Sequence, residues 1–488
     1  MAQIINSNVA SLNAQRNLNT SQTSLNTSLT RLSSGLRINS AKDDAAGLAI
    51  SERMTSQIRG LNQAVRNAND GISLSQTAEG ALGEIGNNLQ RIRELAVQSA
   101  NASNSASDRA SLQKEVAQLT AEISRVASQT QFNGLNLLDG SFQSQSFQVG
   151  ANANQTIDIA SISDARATAL GSHTLTTGGT AMSTVVVDTA ANTTANGNGV
   201  TVEADLSLTT DKGTVSSISY AADSDAAEIA TAINDAASGI GITAVASNST
   251  TLDSISVAGD LTFDLNGTTI SATITDTNDL SAIAAAINGA QATTGVTASF
   301  TTAGDKSSLT LSTTDGRDIV LDTYANTGAA GATLAVGGST VTEGGNDSAT
   351  VTGTVSLTSS QGQIITANAN ADVFGTAGTN ISSFQSLALQ DISSADGAQT
   401  AIEVLDAALS QINTARADLG AIQNRFSSTI ANLQSASENL SASRSRIQDA
   451  DFAAETANMT RGQILQQAGV AILAQANSLP NNVLSLLR

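Results

Sequence analysis

Two regular stripes of leucine and isoleucine, one near each end of the 488-residue chain, restrict its fold more than any other feature. Leu18, Leu25, Leu29, Leu32 and Leu36 follow alternating steps of four and three, with Gln22 in the missing place, which predicts a helix with one apolar seam. Ile5, Val9 and Leu12 extend the seam with one slip of phase. Met54, Ile58, Leu61, Val65, Ala68 and Ile72, resumed after a phase shift by Ala78, Leu82, Ile85, Leu89, Ile92 and Ala96, predict a second helix. Unbroken over 44–99, it would be roughly 84 Å long. Ser40 with Asp43 predicts its capping box. Its glycines mark either close packing or a kink near Asn69-Asp70-Gly71. A third helix is expected after Ser105–Asp108, carrying Leu112, Val116, Leu119, Ile123 and Val126.

The C-terminal arm is more regular. Ile402, Leu405, Leu409, Ile412, Leu419, Phe426, Ile430, Leu433, Leu440 and Ile447 share one register, and Thr400 with Glu403 predicts the start of that helix. An amphipathic segment over 452–478 follows, then Leu479-Pro480 and a short apolar tail.

Seams of this length must pair. Those at the two ends can meet only if the middle loops out between them. The middle is different in kind: residues 170–390 carry 3 basic groups against 20 acidic ones, and Thr, Ser, Ala, Gly, Asn and Asp dominate. Phe147, Val149, Ile157 and Ile159 alternate with polar residues, predicting strands, and Asp139-Gly140 predicts a hairpin turn. A repeat of period 54 follows. Ile233-Asn234 and Gly241–Ala244 recur as Ile287-Asn288 and Gly295–Ala298, each after a stretch turning at Gly213 or Asn266-Gly267. Hairpin, short helix and strand, used at least twice, fits that order. The fold class is therefore α+β and multidomain: paired N- and C-terminal arms form a coiled-coil or helical-bundle core, and a mainly β or α+β outer region is inserted between them.

Composition removes most chemistry. The chain has no cysteine and a single histidine, His173, so thiolate nucleophiles, disulfides and His-x-x-x-His metal helices are excluded. A formal net charge of -20 repels phosphate backbones and anionic membrane surfaces. Nucleic acid and membrane insertion are not expected as partners, no run approaches the roughly 18 apolar residues of a spanning helix, and Met1–Asn8 lacks the charged and apolar regions of a secretory signal. No enzyme and no cofactor is expected. Residues 1–36 and 452–488 have little local core to dock on, so their stripes are expected to be covered by other copies, with order gained on association. Identical subunits joined through different surfaces that fail to close a ring build an open helical filament.

Several stretches carry a specific resemblance. Met1–Asn6, Arg31–Gly47 (RLSSGLRINSAKDDAAG), Asn67–Ser73 (NANDGIS) and Gln463–Gly469 (QILQQAG) through Leu487-Arg488 resemble bacterial flagellin over about the first 160 and last 95 residues. The Ile233-Asn234 and Ile287-Asn288 repeats resemble the IN motif of flagellins and hook-associated proteins. The resemblance implies a secreted filament subunit, exported unfolded by the flagellar type III system. It also implies three layers: inner core helices (1–42 with 452–488), a helical bundle with a β-hairpin (43–165 with 398–451), and a variable outer region (166–397) with repeats near 200–258 and 254–312. Expected partners are copies of itself, an export chaperone, and the hook-associated and cap proteins. Self-assembly is expected through Ile5, Leu12, Leu25, Leu29, Leu32, Leu36, Ile472, Leu473, Val483, Leu484, Leu486 and Leu487. Host Toll-like receptor 5 is expected to read monomer at Gln90, Arg91, Leu95 and Glu115, with Leu409 and Arg425 on the opposing helix. The alternatives are a hook-filament junction protein, disfavoured by the match at both ends and the long insert, and a flagellin whose outer region is a glycan-binding adhesin.

Overall fold

A computed structural model describes residues 7–187, 197–302 and 304–486, the final eight through their backbone alone. The N-terminal arm is α1 (Val9–Ser34), α2 (Ala45–Ala100) and α3 (Ala106–Gln129). The Asn8 side chain caps α1 by accepting the Ser11 N–H at 3.0 Å, and Gly35 ends it at φ 72°. The cap of α2 is Asp44, whose Oδ1 accepts the Gly47 N–H at 2.8 Å. Asp43 instead takes the Asn39 and Ser40 N–H groups, so the predicted Ser40–Asp43 box is a turn before the helix and not its start. α3, expected after Ser105–Asp108, starts within that stretch at Ala106, because Ser105 and Asp108 form a capping box around its first turn.

Short strands β1 (Gln131–Phe132) and β2 (Leu135–Asn136) pair across Asn133-Gly134, both at positive φ. The hairpin turn expected at Asp139-Gly140 does not form. Asp139 accepts instead from Asn136 and from Ser141, making a side-chain-closed turn that leads away from the ladder. β3 (Gln145–Gln148) then pairs with β4 (Thr156–Ile159).

The inserted region comprises β5 (Gly171–Thr176), β6 (Val185–Val187), β7 (Glu203–Thr210), β8 (Gly213–Tyr220), α4 (Ala226–Ala237), β9 (Ile242–Asp253), β10 (Gly259–Leu265), β11 (Thr268–Ile274), α5 (Ser281–Gly289), α6 (Gln291–Thr294), β12 (Val296–Thr302), β13 (Asp305–Thr313), β14 (Ile319–Asn326), β15 (Thr333–Val336), β16 (Ser339–Thr342), β17 (Ala349–Val351), β18 (Thr354–Ser359), β19 (Ile365–Ala367), α7 (Ala371–Phe374) and β20 (Ser383–Ser386). The chain closes with α8 (Ala395–Gln448) and α9 (Phe452–Leu486). Ser394 caps α8 through the Gly397 N–H, so the helix starts before the predicted Thr400–Glu403 box, where Thr400 only donates back to the Asp396 carbonyl. α9 continues through Pro480 to Leu486, beyond the 452–478 segment read from the sequence.

Two compact units result: Met1–Thr77, Gln143–Ser161 and Asp418–Arg488 form one, and Ala78–Phe142 with Ile162–Ala417 the other. In the first, α1 and α9 run antiparallel. Leu25 sits over Gly462 and Leu18 over Gly469, where an added Cβ would come within 3.3 and 3.1 Å of the leucine. The arms therefore pair within one chain, contrary to the expectation that they find cover only in other copies: glycines seven residues apart make holes for leucines seven residues apart. Lower in the same unit α2 passes Asn69-Asp70-Gly71 without interruption, because Gly71 lies against the buried Phe426 ring, which an added Cβ would meet at 2.6 Å. Phe147 of β3 packs edge-on to Phe426, centroids 5.7 Å apart.

In the second unit the predicted repeat is two structural modules. β7–β8–α4–β9 and β10–β11–α5–β12 each place a hairpin, a helix and a strand in that order, with α6 inserted in the second. Asn234 clamps the first module, donating to the Ala244 carbonyl at 2.7 Å and accepting the Ala244 N–H at 2.8 Å. Asn288 clamps Ala298 in the second, with both bonds at 2.8 Å. The preceding Ile233 and Ile287 are fully buried. Strand β9 joins the modules: Ile242–Ser247 pairs with β18 and Asn248–Asp253 with β13. Its first half faces one apolar core (Ile242, Ala244, Ala246) and Leu252 enters the other. Asn248, buried at the changeover, donates to the carbonyls of Arg317 and Val351.

Candidate functional site

The α1–α9 pair spends its seam on itself and leaves a second apolar set outside. Asn8 donates to the Ala476 carbonyl and Ser11 to Asn477, each at 2.8 Å, fixing the register at the far end. Of the residues expected to mediate assembly, Leu25 is buried in the chain, and Leu32, Leu36 and Leu473 are half-buried. Leu12 is 56% exposed, Leu29 44% and Ile472 59%. Val9, Ile464, Leu465 and Val470 join them outside, a set the sequence reading named only in part. Ile5 and Leu487 lie outside the described residues, as do the side chains of Val483, Leu484 and Leu486. Large apolar groups left exposed on adjoining helices mark an interaction surface.

The face expected to meet a receptor is built in the second unit by α2, α3 and α8. Arg91 donates to Glu115 of α3 at 2.9 Å and to Glu94 one turn away at 3.0 Å. The Glu94 and Glu115 carboxylates hold the Arg91 guanidinium above its usual range. Gln90 and Glu115 are exposed, Leu409 is half-buried, and Leu95 is 1% exposed, part of the core beneath the face. Arg425 is exposed and belongs to the other compact unit. Sequence reasoning missed Arg93, which makes a forked contact with Asp406 of α8 at 2.6 and 3.3 Å. Residues two apart lie about 200° apart around a helix, so Arg91 ties α2 to α3 and Arg93 ties it to α8. The Arg-x-Arg spacing beside a buried Ile92 was the available signal.

The acidic outer region contains a groove lined by Asp225, Glu228, Asp315, Arg317 and Asp318. Burial, with nearby Asp225, raises the Asp318 carboxyl to about 6 even though Asn198 donates to it at 2.8 Å. The His173 ring lies against Phe384, tilted by 48° with centroids 5.1 Å apart, and burial lowers its pKa. Among the described residues no three His, Cys, Asp or Glu side chains are grouped to hold a metal, and no helix is long and apolar enough to cross a membrane.

Three family descriptions match. The bacterial flagellin N-terminal helical region covers residues 5–143, the C-terminal helical region 402–487, and the flagellin hook IN motif 260–315, the second of the two modules. The chain is 47% identical to a B-type flagellin of Pseudomonas aeruginosa and 39% identical to a flagellin of Salmonella typhimurium, in both cases over 100% of each chain. A solved FliC structure from Burkholderia pseudomallei is 24% identical and covers 73% of this chain and 99% of its own, with a TM-score of 0.30. With paired helical termini flanking a β-rich insert and full-length identity at this level, the chain belongs to the bacterial flagellin family.

Proposed function

We propose that this protein polymerises into the helical filament of a bacterial flagellum and serves swimming motility as a structural component, not an enzyme. The observation that carries this reading is the α1–α9 pair, whose internal seam is closed while Leu12, Leu29, Ile464, Leu465, Val470 and Ile472 stay exposed. Covering that apolar area in neighbouring copies releases about 25 cal/mol per Å2. Seeding purified protein with filament fragments, followed by electron microscopy, tests it. Full-length chain elongates the seeds, whereas chain lacking 1–34 or 452–488 stays folded and monomeric; filaments from trimmed chain would refute the reading.

Export in an unfolded state through the flagellar type III route, escorted by a chaperone, fits a chain without cysteine, with its filament outside the cell and bounded by hook-associated and cap proteins. Toll-like receptor 5 is the proposed reader of monomer, with Gln90, Arg91, Glu115, Leu409 and Arg425 in contact and Leu95 supporting the face from beneath. A receptor reporter assay on Glu115→Ala and Arg91→Ala protein checks this. Unchanged signalling by both would remove those residues from the site.

A further inference from the structure

The terminal helix pair contains a single acidic side chain, largely covered along its stem, whose carboxylate opens into a groove and has no partner among the described residues of the chain. Helices α1 and α9 carry Arg16, Arg31, Glu455 and Arg461 and no other charged residue. Glu455 is 8% exposed, and its carboxylate forms no hydrogen bond or ion pair among the described residues. It stands seven residues before Gly462, on the seam row that continues to Gly469 and Ala476, where small residues otherwise let α1 approach. It faces a groove of about 490 Å3 between the two helices, rimmed by the half-exposed Leu465 and walled by Ser and Thr residues of α1. Those walls offer it little, because Thr20, Ser21, Thr23 and Thr27 donate their hydroxyl hydrogens to carbonyls one turn back in their own helix. Arg31 and Arg461 line the groove, yet neither comes within ion-pair distance of Glu455.

Resting on the filament reading, we infer that this groove is a latch for a second copy of the chain, and that Glu455 accepts the Arg16 guanidinium of that copy. Arg16 is exposed, makes no side-chain hydrogen bond or ion pair among the described residues, and is the one cation of the pair outside the groove. It lies fifteen residues before Arg31 on α1, about 22 Å of helix, so it does not reach Glu455 of its own chain. The exposed Ile464, Leu465 and Leu29 continue the surface that the filament reading already assigns to neighbouring copies. A charge pair closed only on assembly fixes register between copies, as polar groups at seam positions do in coiled coils.

Seeded elongation of full-length chain tests the latch. Arg16→Glu and Glu455→Arg each slow elongation at least tenfold, and the double variant recovers to within about threefold of wild type, all with unchanged monomer circular dichroism. If Glu455→Arg does not fold, the cycle is read from Arg16→Gln and Glu455→Gln, where the double variant is no slower than either single one. Single variants that elongate normally, an unrescued swap, or additive losses overturn the latch while leaving the filament reading intact. Wild-type chain that fails to elongate seeds overturns both.

Discussion

The Arg91 guanidinium on α2 is held 2.9 Å from the Glu115 carboxylate on α3, so two exposed charges of this face are already engaged with each other. Two residues on, Arg93 takes Asp406 of α8. Both pairs are open to water, and their contribution lies less in stability than in aligning three helices and presenting a fixed array of charge. Any partner that reads Arg91 therefore meets a guanidinium with two carboxylates around it.

Reversing that charge separates fold from interface. Arg91→Glu faces Glu94 and Glu115 across the same distances, and its monomer is expected to keep wild-type helix content by circular dichroism because the core beneath is untouched. Filament formation, followed by sedimentation, is expected to be lost. Normal filaments would confine the role of Arg91 to the monomer.

Glycines within α2 are expected to respond in opposite directions. Gly71→Ala drives a Cβ into the Phe426 ring, and overpacking of about 1–3 kcal/mol outweighs the roughly 1 kcal/mol that Ala gains over Gly in a helix. At Gly80 nothing lies within 4 Å, so Gly80→Ala stabilises by up to about 1 kcal/mol. Urea unfolding of both variants decides whether close packing explains the glycine at 71.

The two asparagine clamps are expected to be equivalent. Asn234→Ala and Asn288→Ala each strip both partners from a strand residue that is itself buried, Ala244 or Ala298, at a cost of about 1–3 kcal/mol in unfolding experiments. A loss in only one module would show that the other holds its strand by packing alone.

Asp318 makes the outer region more stable in mild acid. Its folded pKa of about 6 stands above the ordinary carboxylate value of 3.8, so between those values the folded chain binds more protons than the unfolded one. Stability therefore falls as pH rises through that window, by at most about 3 kcal/mol and less where solvent screens the site. Asp225, raised mainly by burial, acts in the same direction. Thermal melts from pH 4 to 8 should show the slope, and Asp318→Asn should remove most of it; an unchanged slope would assign it elsewhere.

The long seams were legible because an apolar residue every three or four positions over several heptads has few alternatives to a helix, and α2 and α8 extend over the expected spans. Helix starts were less legible. Ser40–Asp43 and Thr400–Glu403 have capping-box composition, but Asp44 and Ser394 hold the first free N–H groups, a matter of which side chain reaches them. Asn133-Gly134 outcompetes Asp139-Gly140 as the hairpin turn because the side chain of Asp139 is drawn to Asn136 and Ser141. The 54-residue repeat was readable from Ile233-Asn234 and Ile287-Asn288, whereas the clamp made by each asparagine was not, since its partner lies ten residues on and across a turn.

Spacing and composition by themselves determined that this chain has helical arms, a duplicated β-rich module, and no thiol or paired-histidine chemistry, because periodicity and residue inventory are properties of the chain alone. Which leucines go inside was decided only in three dimensions. Leu25 is buried and Leu18 half-buried because Gly462 and Gly469 leave them room, whereas Leu12 and Leu29, equally apolar, are exposed. Burial belongs to a pair of surfaces, and half of each pair lies hundreds of residues away in the sequence.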